Sequence, residues 1–580
     1  MLDQMKTRGP DGEGQWYSPR GDVGLGHRRL AIIDLTADGA QPMRSSDGTK
    51  VLTFNGEIYN FHELRKELEA KGRNFVSTSD SEVLLQAFEE YGEAMLSKLR
   101  GMYAFAIWDE TRRRLFLARD PFGIKPLYYA SDGRTFRAAS QVKALLAGGA
   151  IDRAPDPAGH AGFFIWGHLP DPFTLFRRIR ALPAGMCLWV DKDGPGEPRP
   201  FCLIPQILAE AEMQSMGSSQ SPAEAQEKLR SALLDTVRHH LISDVPVGVF
   251  LSSGIDSTTL AALAAEAGGS VRTLTLGFEE FKGTENDEVP LAEEVARHYG
   301  AKHQTVWVTR NDFARETDRL FEAMDQPTTD GVNSFFVSYA AAQAGLKVAL
   351  SGLGGDEIFA GYPSFRQIPR MVNALAPFRS LTPLHHAWRI ISAPVLQRVS
   401  SPKYAGLLEY GGRWSGAYLL RRGMFTPQEL PQLLGPDMAR EGWRELETLA
   451  RLDDTQHAVR SPRLKVSALE LSWYMRHQLL RDTDWASMAH SLEIRTPLVD
   501  TDLLRNLAPM LAGPRPPSKR NLANAPSKKL PDAILNRRKT GFSIPVRNWL
   551  SDKDGAASPS GTDRGLRGWA KMIYSQFSAN

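Results

Sequence analysis

The run Val249-Phe250-Leu251-Ser252-Ser253-Gly254-Ile255-Asp256-Ser257-Thr258 joins an apolar stretch to a small-residue loop and then to a segment rich in Ala and Leu. Small residues let backbone N–H groups approach an anion, and a helix starting at the loop adds the partial positive charge of its N-terminus. The segment therefore reads as a phosphate cradle. No Gly-Lys-Ser or Gly-Lys-Thr follows, which disfavours a Walker-type site, and on this segment alone a strand-to-helix turn capped by Ser or Asp competes. A second loop, Leu350-Ser351-Gly352-Leu353-Gly354-Gly355-Asp356-Glu357-Ile358-Phe359-Ala360-Gly361-Tyr362, repeats the arrangement. Its adjacent acids could complete a magnesium site with Asp256, because Mg²⁺ takes one or two carboxylates plus phosphate oxygens; the plainer alternative is a helix start that favours acids. Two such loops at successive strand ends strengthen the phosphate reading.

The elements that must position these loops follow from the apolar patterning. Runs at 247–251, 273–278, 304–308 and 348–351 each precede a helical pattern, which predicts a doubly wound parallel sheet with ligands at the carboxyl ends of its strands. Residues 365–580 read as mainly helical with Pro-rich breaks. Residues 1–205 alternate short strand-like runs with Gly, Pro and Asp turns, an α+β pattern with one clear helix at about 80–98. Between them, 206–223 is polar and rich in Ser, Met and Gln, as a linker would be. The expected organisation is thus a first domain over 1–205, a linker over 206–223 and a second domain over 224–580, consistent with a chain of 580 residues exceeding the size of one core.

A formal charge of +3 from 70 basic and 67 acidic residues implies no nucleic-acid surface. Arg112-Arg113-Arg114 reads as a hairpin turn between the strands 104–108 and 115–118. The only cysteines, Cys187 and Cys202, are too few for a disulfide framework and lack zinc-site spacing, which suits a reducing cytoplasmic setting. No run reaches the length of a membrane span, and no signal peptide is read at the N-terminus.

The loop at 252–257 resembles the pyrophosphate loop of ATP pyrophosphatases. With the second loop, the stretch Asp484-Trp485-Ala486-Ser487-Met488-Ala489-His490-Ser491-Leu492-Glu493-Ile494-Arg495-Thr496-Pro497-Leu498-Val499-Asp500 and Arg537-Arg538-Lys539-Thr540-Gly541-Phe542, it is similar to the synthetase domain of the glutamine-hydrolysing asparagine synthetase family. The first half resembles that family's class-II glutamine amidotransferase domain, an Ntn-hydrolase-type α+β sandwich, through Arg8-Gly9-Pro10-Asp11, Gly26-His27-Arg28-Arg29-Leu30, Asn55-Gly56-Glu57-Ile58-Tyr59-Asn60, Ser79-Asp80-Ser81-Glu82 and Asp120-Pro121-Phe122-Gly123-Ile124-Lys125. The resemblance implies that glutamine is hydrolysed in the first domain and that ammonia passes to the second, where ATP adenylates the aspartate side chain and ammonia displaces AMP. It implies ATP contacts at Leu251, Leu276, Ser351 and Gly352, with Ser252, Ser253, Gly254 and Ser257 around the pyrophosphate. Asp256 and Asp356 would ligate Mg²⁺, and Lys539 would oppose charge on the transferring phosphate. The implied glutamine pocket is Arg29, Asn55, Gly56, Glu57 and Asp80, with Arg29 on the substrate carboxylate and Asn55 with the Gly56 N–H as oxyanion hole; singly, Asn55-Gly56 is also the commonest hairpin turn. A homodimer is the implied assembly.

The sequence departs from the family at its start. The family's nucleophile is an N-terminal cysteine, whereas residue 1 is Met, and neither Cys187 nor Cys202 offers thiol and free amine on one residue. The family also carries a first strand and helix, roughly 30 to 40 residues, before the point matched by Arg8. The expectations are therefore a truncated gene model, a first domain without its first strand, no glutaminase activity, and Cys187 as a buried strand cysteine. In the synthetase site Ser253 replaces a usual glycine, and Leu353 stands where the family more often has an acid, which leaves the acceptor open. The alternatives are an AMP-forming ligase of the same scaffold acting on another carboxylate, and a non-catalytic scaffolding relative.

Overall fold

The computed structural model describes residues 1–215, 221–268, 271–379, 388–392, 402–537, 545, 549 and 566–578. In the first half, Gly101–Asp109 pairs antiparallel with both Lys50–Ile58 and Arg114–Arg119, and Met186–Asp191 extends the same seven-stranded sheet. The hairpin expected around Arg112 is therefore present, and Arg113 takes the left-handed conformation (φ 53°) its turn needs. Side chains alternate along Gly101–Asp109, as a pleated strand requires. Phe105 and Ile107 face the helices Phe61–Ala70 and Asp80–Tyr91 through Leu64, Leu68, Leu84 and Phe88. Ala104 and Ala106 face a three-stranded sheet (Tyr128–Ser131, Phe136–Ala139, Ile179–Ala181) through Leu117, Leu127 and Leu188. Two sheets packed face to face beneath helices form the expected α+β sandwich.

The helix expected over 80–98 is α-helical only over Asp80–Tyr91, because Gly92 turns left-handed (φ 57°) and the chain continues as a 3₁₀ turn, Gly92–Ser97. The helices Phe61–Ala70, Val142–Ala147 and Pro157–Trp166 go beyond the single helix expected.

The second half contains a five-stranded sheet whose spatial order is Lys302–Val308, Arg272–Phe278, Val247–Phe250, Val348–Leu350, Glu493–Arg495, all parallel. The expected strands are all present, and Glu493–Arg495 adds an edge. Chain order reverses between Val247–Phe250 and Val348–Leu350, the switch point at which such sheets bind ligands. The described residues that follow are mainly helical, including an eleven-residue π-helical stretch, Glu470–Leu480.

The segment 206–223 is corrected in part: Ile204–Ser215 is a helix, because Ile204, Leu208 and Ala211 recur at helical spacing and bury against Leu504, Leu507 and Leu511. The next helix, Pro222–His240, starts with a capping box from Ser221 and Glu224. No helix among the described residues is long and apolar enough to cross a membrane.

Candidate functional site

The strand Val247–Phe250 delivers Leu251, Ser252, Ser253 and Gly254 to the start of the helix Ile255–Glu266, and the strand Val348–Leu350 delivers Ser351 and Gly352 beside it. The first loop is folded by its own hydroxyls: Ser252 N donates to Ser257 Oγ at 3.1 Å, the two serine hydroxyls lie 2.8 Å apart, and Ser253 Oγ donates to the Glu288 carbonyl at 2.8 Å. The loops touch. A side chain on Gly352 would come within 3.0 Å of Asp256 Cβ, and one on Gly355 within 2.7 Å of Asp256 Oδ1, so glycine at both positions lets the loops approach this closely without displacing Asp256. Leu251, Ser252, Ser253, Gly254, Asp256, Ser257, Leu276, Ser351, Gly352 and Asp356 all line one cavity of about 700 Å³, and Leu353 lines it too. Lys539 lies outside the described residues.

Sequence reasoning missed Lys519. Its ammonium lies 2.5 Å from Asp256 Oδ1 and 2.8 Å from Asp356 Oδ1, so the two acids expected to share a metal converge on one cation. Among the described residues no group of three or more His, Cys, Asp or Glu could hold a metal ion. The pair nevertheless fits Mg²⁺, which needs only one or two carboxylates when phosphate oxygens complete its shell; the Lys519 ammonium stands where that charge would be.

Another wall of this cavity is acidic and aromatic. Asp330, Asn333, Glu357, Tyr362, Tyr474, Leu479 and Asp482 line it. Burial and then the Asp356 carboxylate push Glu357 up to about 7, although it accepts the Tyr362 hydroxyl at 2.9 Å. Burial and then the Asp330 carboxylate push Asp482 up to about 7. Because folding raises the affinity of Glu357 for its proton, stability present below about pH 4.5 is lost as pH rises to about 7. Urea denaturation of Glu357→Gln should accordingly show a loss over that window smaller than the wild type's by about 2–3 kcal/mol. An equal loss in both would contradict the burial argument.

In the first half, Arg29, Asn55, Gly56, Glu57 and Asp80 line a second cavity, of about 70 Å³. Asn55-Gly56 is not a turn: it lies within the strand Lys50–Ile58, where Gly56 (φ 149°) has no room for a side chain, since a Cβ would meet the Met102 carbonyl oxygen at 2.0 Å. Asp80 opens its helix and accepts the Ile58 N–H at 3.0 Å, and burial pushes it up to about 6. The Arg29 guanidinium is held by the carbonyls of Ile33, Asp34 and Thr36. Cys187 sits in the strand Met186–Asp191, buried, with its thiol pushed up to about 12 by burial and by Glu93. It is the buried strand cysteine expected.

The second cavity also receives side chains from the other half. Glu493 and Met488 line it, with Lys125 3.6 Å from Glu493 Oε2. Arg495, with its side chain fully buried, lies 3.2 Å from Glu57 Oε1 and 2.8 Å from Glu493 Oε1, and donates to the carbonyls of His240 and Ile242. Burial holds Glu57 well above the usual carboxylate range against the pull of Arg495. The Arg495 carbonyl in turn accepts the Ser351 N–H at 2.8 Å, so one residue links Glu57 of the smaller cavity to Ser351 of the larger. Lys125, Glu493 and Arg495 all stand in motifs already singled out, but only the fold shows that they meet.

Comparison with known proteins places both halves. A glutamine amidotransferase domain model matches residues 1–201, and an asparagine synthase model matches residues 228–557. The chain is 32% identical over 559 residues to asparagine synthetase [glutamine-hydrolyzing] 1 of Bacillus subtilis, covering 95% of this chain and 84% of that one. It is 33% identical over 567 residues to a putative asparagine synthetase [glutamine-hydrolyzing] of Mycobacterium bovis, covering 94% and 83%. The solved structure of the allosteric regulatory enzyme of purine biosynthesis aligns over 53% of this chain and 76% of that one at 18% identity and a TM-score of 0.28. The expected absence of a glutaminase step finds no support, because a glutamine amidotransferase domain is present over residues 1–201. With both domain models matched in order and full-length relatives above 30% identity, the chain belongs to the glutamine-hydrolysing asparagine synthetase family of ligases.

Proposed function

We propose that this protein makes asparagine from aspartate in two steps at the larger cavity. A side-chain carboxylate oxygen of aspartate attacks the α-phosphorus of ATP and pyrophosphate leaves; ammonia then attacks the acyl carbon of the β-aspartyl-AMP and AMP leaves. The observation that carries this reading is the cavity at the sheet's switch point, where two small-residue loops and the carboxylates of Asp256 and Asp356 face one another. Backbone N–H groups of the loop at 252–257 and the start of its helix suit the pyrophosphate. Leu251 and Leu276 suit the adenosine, with Ser351 and Gly352 beside them. Mg²⁺, when bound by Asp256 and Asp356, would neutralise phosphate charge. Lys519 can turn from those carboxylates to the phosphates, and the resemblance adds Lys539. Glutamine is the proposed nitrogen source through Arg29, Asn55, Gly56, Glu57 and Asp80, with free ammonia as the substitute. A cytoplasmic setting and a homodimer belong to the same proposal.

A ligase of this scaffold acting on another carboxylate is the second reading, favoured by one observation: Leu353, where the family more often has an acid, lines the cavity. Incubation with aspartate, ATP and Mg²⁺, with glutamine or ammonium, should yield AMP, pyrophosphate and asparagine in equal amounts. Neither product from aspartate with either donor would sink the first reading, and pyrophosphate and AMP released when another carboxylic acid replaces aspartate would favour the second.

A further inference from the structure

Among the described residues, Lys519 and Arg537 are the cationic side chains that line the larger cavity, and they are held very differently. Lys519 lies 2.5 Å from Asp256 Oδ1 and 2.8 Å from Asp356 Oδ1. Arg537 is held loosely. Its Nη1 lies 3.9 Å from Glu288 Oε1, beyond hydrogen-bond reach, and its Nη2 donates to the Glu285 carbonyl at 3.3 Å. A guanidinium offers a planar fork of donors that matches phosphate oxygens, and these contacts leave most of that fork unused.

Glu288 connects this arginine to the loop at 252–257. It precedes the helix Val289–Tyr299, its carbonyl accepts Ser253 Oγ at 2.8 Å, and it lines the cavity together with Ser253 and Gly254. Lys519 thus reaches the loop through Asp256, and Arg537 reaches it through Glu288. The loop runs into the helix Ile255–Glu266, whose start suits an anion. As a partner for Arg537, Glu288 is weak. Burial holds its carboxyl above the usual carboxylate range against the pull of that arginine. A chain of phosphates, with more charge and more acceptor oxygens, competes well against such an acid.

We propose that Arg537 is a pyrophosphate clamp parked on Glu288, which it leaves for the β- and γ-phosphates of ATP. This inference rests on the ligase reading above. As the acceptor carboxylate bonds to the α-phosphorus, the bond from that phosphorus to the bridging oxygen breaks, and the oxygen keeps the electron pair. The guanidinium meets the charge that collects on the departing pyrophosphate. AMP retains the α-phosphate alone and has nothing for the clamp to hold.

An ion pair that only braces the fold would respond alike to the loss of either partner, whereas a parked cation gives effects of opposite sign. Calorimetry on the full chain with Mg²⁺, using inorganic pyrophosphate and AMP as probes, distinguishes the two. Arg537→Gln should weaken pyrophosphate binding by about 30-fold or more and leave AMP within about threefold, because a charge-assisted contact to phosphate is lost. Glu288→Gln should tighten pyrophosphate by about threefold, because the arginine no longer has a charged alternative. The double variant should match Arg537→Gln alone. Arg537→Lys keeps the charge without the fork and should fall between wild type and Arg537→Gln; it carries the test if the glutamine variant does not fold. No pyrophosphate binding by the wild type, equal weakening of pyrophosphate and AMP, or a Glu288→Gln variant that fails to tighten pyrophosphate would overturn the proposal. The expected pattern of binding without pyrophosphate release from ATP, ammonium and any acid tried would overturn the ligase reading and leave Arg537 as a clamp for pyrophosphate.

Discussion

Asp256→Asn should lower ATP-dependent pyrophosphate release by about 1,000-fold, or roughly 4 kcal/mol of transition-state stabilisation. The substitution keeps the shape of the side chain and removes its charge. In the wild type that charge lies at the start of the helix Ile255–Glu266 and shares the Lys519 ammonium with Asp356. Without it, one carboxylate remains to hold a divalent cation against the phosphates, and Lys519 is bound by one acid fewer. The pair is partly open to the cavity, with side-chain exposures of 20% and 24%, so little stability should be lost. A thermal midpoint within a few degrees of wild type, together with the collapse of pyrophosphate release, is the expected combination. Release within tenfold of wild type would remove Asp256 from the chemistry.

The largest stability effect is expected at Arg495. Arg495→Met should cost about 3–5 kcal/mol, read as a lower midpoint in urea, because it strands Glu57 and Glu493 as buried carboxylates and leaves the His240 and Ile242 carbonyls without their donor. Lys125, 3.6 Å from Glu493 and acting on Glu57 as well, is one cation left for two buried acids. Arg495→Lys should recover little, since one ammonium cannot span the positions that a planar guanidinium reaches. A loss below about 1 kcal/mol for the methionine variant would show that the cluster relaxes or takes up protons at no cost.

Much of this was legible in the sequence because the signals were local. The loop at 252–257 announces itself by an apolar strand, small residues and an Ala-rich helix, all contiguous, and the parallel strands by short apolar runs between helical patterns. Features made by distant residues were not legible. Lys519 lies in a polar stretch after Pro514, Pro516 and Pro517, indistinguishable from a solvated lysine until the fold brings it to Asp256, 263 positions away. The strand Glu493–Arg495 spans three residues, too few for an alternation to register. The linker expected over 206–223 overlaps the helix Ile204–Ser215, whose Gln and Glu residues mask the spacing of Ile204, Leu208 and Ala211. Asn55-Gly56 carries a turn signature and yet lies in a strand, since pairing with the strand Gly101–Asp109 overrides the local preference. Asp330 and Asp482 carried no motif at all; what marks them is a shared wall.

Arg495 also bears on how such a chain can be recombined. Its side chain lies beside Glu57 of the smaller cavity, while its carbonyl accepts the Ser351 N–H at the head of the second small-residue loop. A chimera cut within residues 206–223, where the sequence invites a seam, would keep each half's backbone whole and still exchange one side of this contact. The unit that must travel with residues 1–201 includes the strand Glu493–Arg495, nearly three hundred positions downstream. Drift at Glu57 is thereby constrained by a residue of the opposite half, and the two halves are inherited as one.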